Sequence, residues 1–219
     1  MDWQVFNRSR RRHGWAVLGF ALLLLLAGPR PLLAEDGLAG QLLVAAPEMS
    51  DPNFSHTVIY ILRHDPTGAL GLVINRPMGE VPLDRLLALL EGTNGGETSP
   101  DNGNGGEPGD PLLVFSGGPV DPYRAFTLHS RDVMPEHSVP VDDDTAFNVE
   151  DEVLKALAED AAPKSLLFVL GYSGWAAGQL ESELDRGDWY VVASDPSLLF
   201  SAEPARTWER AVALFGTEL

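Results

Sequence analysis

Residues 55–77 read SHTVIYILRHDPTGALGLVINRP and are the most strongly patterned stretch of the chain. Two β-branched and aromatic runs, residues 58–62 and 70–74, are too short for ordinary helices and favour strands. Between them, residues 65–68 (DPTG) match the preferences of a type I turn. Neither run alternates with polar residues, which is typical of strands covered on both faces. The stretch therefore predicts a buried β-hairpin.

The order of the other elements predicts the fold class. Further strands are predicted at residues 41–46, 112–115, 125–128, 165–170 and 188–193, and helices at residues 82–90, 148–159 and 204–215. Residues 171–187 predict a glycine-hinged turn that opens into a helix. Because a hairpin comes first and strand-helix units follow, we expect a single α+β domain with a mixed sheet flanked by helices.

The first 34 residues have the layout of a signal peptide. Four arginines between positions 8 and 12 precede an apolar core at residues 15–27, and LLA at residues 32–34 fits a cleavage site. The core is shorter than the roughly 20 residues that cross a bilayer, so a retained membrane anchor is the weaker alternative. We expect residues 35–219 to be exported, to the periplasm; a misassigned start codon would instead give a cytoplasmic protein.

Charge and cysteine content exclude several classes of function. The chain has no cysteine, which excludes disulfides, thiolate zinc sites and cysteine nucleophiles. Removal of residues 1–34 leaves ten Lys and Arg against 31 Asp and Glu, a net charge of −21. A chain this acidic repels phosphate backbones, so no direct nucleic-acid contact is expected. Membrane contact is expected only through an uncleaved leader.

Residues 91–110 differ in composition from the rest of the chain. They are rich in Gly, Asn, Asp, Glu, Ser, Thr and Pro and contain no large apolar residue. Such a segment buries too little apolar surface to offset the entropy of ordering. We therefore predict a disordered surface insertion within the domain of residues 35–219.

Five sequence blocks carry a resemblance to a known family. They are GQLLVA at residues 40–45, DPNF at 51–54, GALGLVINRP at 68–77, GGPV at 117–120 and GYSGWAAGQLE at 171–181. In this order they resemble the signature blocks of the YqgE/AlgH family over residues 38–216. The resemblance implies a compact α+β domain with a small closed or bifurcated, barrel-like sheet. Members are mostly described as uncharacterised, some are labelled transcriptional regulators of alginate production, and no catalytic residues carry over.

The polar exit of the hairpin is the preferred candidate site. Asn75 and Arg76 end an apolar strand, where a guanidinium needs a carboxylate or backbone carbonyls, and Asp51 is a candidate partner. The turn at residues 116–119, which contains Gly117 and Gly118, could offer backbone N–H groups to an anion. We predict that Asp51, Asn75, Arg76, Gly117 and Gly118 converge on one ligand-binding rim.

Other chemistry is less well supported by the sequence. Ser173 follows a predicted strand, as a nucleophile does, but Trp175 stands where Gly-x-Ser-x-Gly requires glycine. The histidines show no metal-binding spacing and no nucleotide-binding motif is present, so neither a metal nor a cofactor is predicted. The leading prediction is a non-enzymatic binding or regulatory domain for a protein or small-molecule partner. The alternative is a serine hydrolase that uses Ser173 with His129 or another base.

Overall fold

The computed structural model describes residues 37–93 and 111–215 of the chain. The predicted signal peptide lies outside the described residues, and so do residues 94–110 of the predicted insertion. Residues 91–93, where the insertion was expected to begin, instead complete a helix. Within the described ranges, none of the helices is both long enough and apolar enough to cross a membrane.

The described residues form ten strands and five helices. The strands are β1 (Gln41–Ala45), β2 (Val58–Asp65), β3 (Gly68–Val73), β4 (Pro77–Pro82), β5 (Pro111–Ser116), β6 (Val120–Ser130), β7 (Val139–Pro140), β8 (Thr145–Asn148), β9 (Leu166–Ala176) and β10 (Trp189–Ala193). The helices are α1 (Leu83–Thr93), α2 (Glu152–Ala158), α3 (Gln179–Asp185), α4 (Pro196–Leu199) and α5 (Pro204–Phe215). This content confirms the α+β prediction.

Strand β9 is the point at which the sheet branches. The main path runs β10-β1-β2-β3-β9-β6-β8-β7, and β5 and β4 leave it at β9. The first half of β9 lies between β5, which is parallel to it, and β6, which is antiparallel. Its second half pairs with β3. One parallel pairing among antiparallel ones makes the sheet mixed, and the prediction of a partly barrel-like sheet is confirmed.

The hairpin of β2 and β3 is buried on both faces, as its apolar sequence predicts. Tyr60 and Leu72 belong to one apolar cluster, together with Trp208 of α5. Ile59 belongs to a second cluster, together with Leu180 of α3. Helices therefore cover the sheet from both sides. Burial of each such side chain contributes about 1.5–3 kcal/mol to folding.

The predicted end of the strand at residue 170 is wrong. Strand β9 continues to Ala176, and α3 begins only at Gln179. Gly171, with φ of +74°, does not reverse the chain. It lets β9 pass the bulge of β6, because a Cβ there would lie 3.1 Å from Val120 O and 3.2 Å from Pro122 Cα. A glycine that serves a close approach has the same sequence signature as one that serves a turn.

The predicted start of the second helix is also wrong. The helix was expected to begin at Asn148, but this residue is the last of β8 and is fully buried. Helix α2 begins at Glu152. The Asn148 side chain accepts from Glu150 N–H over 2.6 Å and so shapes the turn that leads into the helix.

Candidate binding site

Arg76 holds the entry loop, which we define as residues 47–57 between β1 and β2. Its Nη1 donates to Asn53 O over 2.7 Å, and its Nη2 donates to Pro52 O over 3.0 Å and to Ser55 O over 3.1 Å. The expected partner, Asp51, forms no ion pair with it; backbone carbonyls of the same loop take its place. A planar guanidinium fits this role because its fork of donors reaches several carbonyls at once.

Asn75 fixes the other end of the entry loop. Its Oδ1 accepts from Val58 N–H over 2.9 Å, and its Nδ2 donates to His56 O over 2.9 Å. The residue is only 8% exposed. Both polar ends of the amide are therefore used by the backbone, and Asn75 is placed to support the loop rather than to contact a ligand directly.

Asp51 shapes the middle of the entry loop. Its Oδ1 accepts from Asn53 N–H over 2.8 Å, and its carbonyl accepts from the N–H groups of Phe54 and Ser55 over 2.9 and 2.8 Å. This pattern is the Asx turn that short polar side chains favour. Asp51 thus shapes the same loop that Arg76 holds.

Gly117 and Gly118 allow the turn after β5 to touch β9. A Cβ on Gly117 would lie 2.3 Å from Gly171 O, closer than real contacts allow. On Gly118, whose φ is +147°, it would lie 2.4 Å from the carbonyl of Tyr172. Both positions therefore require glycine for packing, whatever else the turn does.

A small cavity lies where Arg76 meets this turn. Its volume is about 90 Å³, and it is lined by Asn53, Val73, Arg76, Ser116, Gly118 and Pro119. Since one water occupies about 30 Å³ of liquid, the cavity holds only a small ion or about three waters. The structure thus brings Arg76 and the turn together, but Asp51, Asn75 and Gly117 do not line this cavity.

Ser173 is not placed to act as a nucleophile. It is fully buried, and its Oγ donates to Gly117 O over 3.1 Å. His129 is no partner for it, because His129 pairs with Leu166 of β9, seven residues away from Ser173 along that strand. At about 3.3 Å per residue the two lie roughly 23 Å apart. The hydrogen bond to Gly117 ties the glycine turn to β9.

The larger feature, which we call the aromatic cleft, lies on the other side of the entry loop. Its volume is about 540 Å³, within the range of small-molecule pockets. The loop, the start of β10 and helix α3 with its following turn form the walls. The cleft is lined by Ala46, Glu48, Met49, Ser50, Asp51, Phe54, Gln179, Glu183, Arg186, Gly187, Asp188 and Trp189. Asp51 is therefore the one predicted site residue that faces it.

Three aromatic rings and one carboxylate organise the cleft. The ring centroid of Phe54 lies 5.5 Å from that of Trp189 and 6.4 Å from that of Trp175. Glu183 Oε2 accepts from both indole N–H groups, over 2.8 Å from Trp175 and 2.9 Å from Trp189. Gln179 Nε2 donates to the other oxygen, Oε1, over 3.0 Å. Glu183 is thus an anchored carboxylate beside an aromatic surface.

The charges around the cleft are predominantly negative. Four carboxylates line it, those of Glu48, Asp51, Glu183 and Asp188, against the single guanidinium of Arg186. That guanidinium already lies 2.7 Å from Asp188. The remaining charge favours a cationic group, and the half-buried Phe54 ring in the cleft wall adds to the attraction for one.

Sequence reasoning missed most of this cleft. Phe54, Trp175 and Glu183 come from three separate segments, and nothing in their local patterns marks them as neighbours. One signal was available: Trp175 and Gln179 both lie in the fifth of the blocks that carry the family resemblance. Among the residues that the structure describes, no group of three or more His, Asp and Glu side chains is placed to hold a metal ion.

Comparison with known proteins assigns the family. The sequence pattern of the family described as AlgH-like (DUF179) matches residues 42–219. The chain belongs to the AlgH-like family. A UPF0301 protein of Jannaschia sp. is 39% identical over 188 residues, covering 85% of this chain and 92% of its own. A UPF0301 protein of Afipia carboxidovorans is 36% identical over 185 residues, covering 83% and 85%.

Solved structures of similar proteins confirm the AlgH-like fold. The solution structure of the AlgH protein from Pseudomonas aeruginosa is 34% identical, with a TM-score of 0.64, and the match covers 86% of this chain and 92% of that one. A crystal structure of a Corynebacterium diphtheriae protein has a TM-score of 0.59 at 20% identity, which bears on the fold alone. The family resemblance predicted from the five blocks is therefore confirmed.

Proposed function

We propose that this AlgH-like protein is a binding domain whose aromatic cleft takes a basic side chain of a partner protein. The observation that carries the proposal is the position of Glu183, a carboxylate fixed by two indoles at the wall of a cleft of about 540 Å³. A preorganised anion beside the half-buried Phe54 ring suits a guanidinium or ammonium, which gains both charge pairing and contact with that ring.

The net charge of the protein supports a cationic partner. At −17 for the whole chain, the electrostatic field attracts basic surfaces and raises their rate of association. The same charge opposes contact with phosphate backbones. A regulatory role would therefore act through protein contacts rather than through direct binding of DNA.

The N-terminal sequence supports a proposed place of action. The arginine-rich start and the apolar core support export of residues 35–219 to the periplasm. N-terminal sequencing of the native product tests this proposal. We expect a mature start close to residue 35, and an intact Met1 in the cytoplasmic fraction would overturn it.

Peptide titration tests the binding proposal. A hexapeptide of alternating Arg and Leu is titrated into the protein and followed by tryptophan fluorescence, because Trp189 lines the cleft. We expect binding that weakens as salt rises, since exposed charges are screened within about 10 Å at 0.1 M salt. A peptide with Glu in place of Arg should not bind.

Variants separate the cleft from general attraction to an acidic surface. Phe54→Ala and Glu183→Gln should each weaken binding by roughly tenfold, equivalent to about 1.4 kcal/mol. The matched control is Glu203→Gln, which removes an exposed carboxylate at the start of α5, outside the cleft. If all three variants bind the basic peptide equally well, the cleft is not the site and the proposal fails.

A further inference from the structure

Ser138 and His129 form a hydrogen-bonded pair that the aromatic cleft does not use. Ser138 Oγ lies 2.9 Å from His129 Nε2, and His129 Nδ1 lies 2.9 Å from Ser130 O. A carbonyl oxygen can only accept, so Nδ1 carries the proton and Nε2 accepts from the Ser138 hydroxyl. This tautomer is the one that a general base requires, with the second nitrogen oriented by a third group.

Asn148 places an amide donor beside the same hydroxyl. Its Nδ2 lies 3.3 Å from Ser138 Oγ and donates to Glu136 O over 2.8 Å. Its Oδ1 accepts from Glu150 N–H over 2.6 Å, and the side chain is fully buried. The amide is therefore held in place, with an N–H close to the oxygen that would attack. Both hydrogens of this amide are used by Glu136 and Ser138, so Asn148 is a positioning residue for the Ser138 hydroxyl.

The backbone and surface around Ser138 fit such a role. His137, directly before it, has φ of +61°, a conformation that non-glycine residues seldom adopt. Ser138 itself is half-buried, whereas His129 is fully buried. Four exposed apolar side chains lie in the segments next to Ser138 and Asn148. They are Val133, Met134, Val139 and Val149, each between 38% and 48% exposed.

The burial of His129 keeps its imidazole neutral. Burial lowers the pKa of His129, against smaller opposing effects of the Ser130 carbonyl and the Asp132 carboxylate. A pKa below the ordinary value of about 6.5 leaves the ring unprotonated at pH 7. The unprotonated form is the one that can take a proton from Ser138.

We propose that Ser138, His129 and Asn148 form an acyl-transfer site in which Ser138 takes the acyl group of a small activated ester of an aliphatic acid. Ser138 Oγ bonds to the ester carbonyl carbon as its proton passes to His129 Nε2. The bond from that carbon to the leaving group then breaks, and the leaving group departs with the electron pair and the proton from His129. Water repeats the two steps and releases the acid.

The proposed site keeps the base of the hydrolase alternative and changes its nucleophile. His129 is a suitable base, but the serine that it contacts is Ser138 rather than Ser173. The four exposed apolar side chains lie close to Ser138 or Asn148 in the sequence, which favours an aliphatic acyl group. None of the three site residues lines the aromatic cleft, so the acyl-transfer site and the binding cleft can be tested separately.

An active-site probe tests the proposal. The purified full chain is treated with an alkyl fluorophosphonate, whose P–F bond breaks as phosphorus bonds to serine, and the adduct is located by mass spectrometry. We expect one adduct, on Ser138. The labelling rate should rise with pH through the lowered pKa of His129 and then level off. Hydrolysis of p-nitrophenyl butyrate should follow the same profile.

The chain offers a matched control in Ser55. Its Oγ lies 2.8 Å from His56 Nδ1, but that pair is exposed. Ser55→Ala should leave labelling unchanged, whereas Ser138→Ala should abolish it. Ser138→Cys provides a second variant that retains a group able to bond His129, and its thiol should react with iodoacetamide. An unlabelled Ser138 in the folded wild-type protein, or equal labelling of Ser55 and Ser138, would overturn the proposal.

Discussion

The two sides of the entry loop differ in what their polar groups are free to do. On the hairpin side, Arg76 and Asn75 are committed to backbone groups of the loop and of β2, and the adjoining cavity is about 90 Å³. On the helix side, Glu183 and Phe54 border a cleft of about 540 Å³. The hairpin side therefore holds the entry loop in place, and on the helix side the same loop forms a wall of the cleft.

This difference shows why polar residues at a strand exit mislead sequence interpretation. A guanidinium after an apolar strand needs acceptors, and the chain supplies them from its own loop. Asp51, Asn75 and Arg76 are then positioning residues for the wall of the cleft. A ligand is more readily admitted where side chains from distant segments meet around open space.

The largest expected effect comes from the turn on the hairpin side. Gly118→Ala should lower the free energy of unfolding by about 4 kcal/mol, since overpacking and backbone strain each cost about 1–3 kcal/mol. The new methyl group would meet the Tyr172 carbonyl, and φ is +147°. Urea unfolding measures the change.

Gly79→Ala is the control for backbone strain without a clash. Gly79 has φ of +150°, but a Cβ there meets no atom within 4 Å. We expect this substitution to lower the free energy of unfolding by about 2 kcal/mol, from backbone strain alone. If the two variants are equally stable, Gly118 is not required for packing, and its turn is available to a ligand after all.

The next effect concerns the anchor of the entry loop. Arg76→Ala removes three charge-assisted hydrogen bonds and should cost about 2 kcal/mol, discounted for partial exposure. Chymotrypsin should then cleave faster at Phe54, and peptide binding in the cleft should weaken because its wall is looser. Arg76→Lys keeps the charge without the fork of donors, so its stability should lie between those of the wild type and Arg76→Ala. Unchanged cleavage in Arg76→Ala would show that Arg76 does not hold the loop that forms the cleft wall.

The sequence predicts the framework of the fold because the framework is local. The hairpin follows from apolar runs and a DPTG turn, and its covered faces follow from the lack of polar alternation. Strand β4 was missed because its PMGEVP sequence is bounded by prolines and exposed, and it forms only through pairing with β5. The length of β9 was missed because Gly171 serves a contact with β6 that lies far away in sequence.

A smaller effect on stability is expected at the cleft. Glu183→Gln keeps an oxygen that can accept from both indoles but loses the charge, so the cost should be about 1 kcal/mol. Binding of the basic peptide should nevertheless fall by roughly tenfold. Arg76 variants should thus affect the free energy of unfolding more than peptide affinity, whereas Glu183→Gln should affect peptide affinity more than the free energy of unfolding. A stability loss in Glu183→Gln larger than that in Arg76→Ala would remove the distinction.

Of the residues that line the aromatic cleft, only Asp51 was predicted from the sequence as a site residue. Asp51 was predicted as a partner of Arg76 because it lies in a loop next to the patterned stretch. Phe54, Trp189 and Glu183 become neighbours only after β1 pairs with β10 and α3 packs on β9. No periodicity encodes such a meeting. The burial of Ser173 was equally invisible, because it depends on the approach of the Gly117 turn.

The smallest expected effect lies at the opposite end of the hairpin. Hydrogen bonds from the Thr67 side chain and backbone lower the pKa of Asp65. A lowered folded pKa stabilises the protein above the unfolded value of about 3.9, and this contribution is lost as the pH falls through the folded value. The melting temperature of wild type minus that of Asp65→Asn should therefore be positive at pH 7 and shrink below pH 4. Thr67→Ala removes the main donor while keeping the carboxylate, so it should lose most of the same pH dependence. Because these bonds span two residues of exposed turn, whereas those of Arg76 span more than twenty, a larger effect at Asp65 than at Arg76 would reverse the ranking of the two ends.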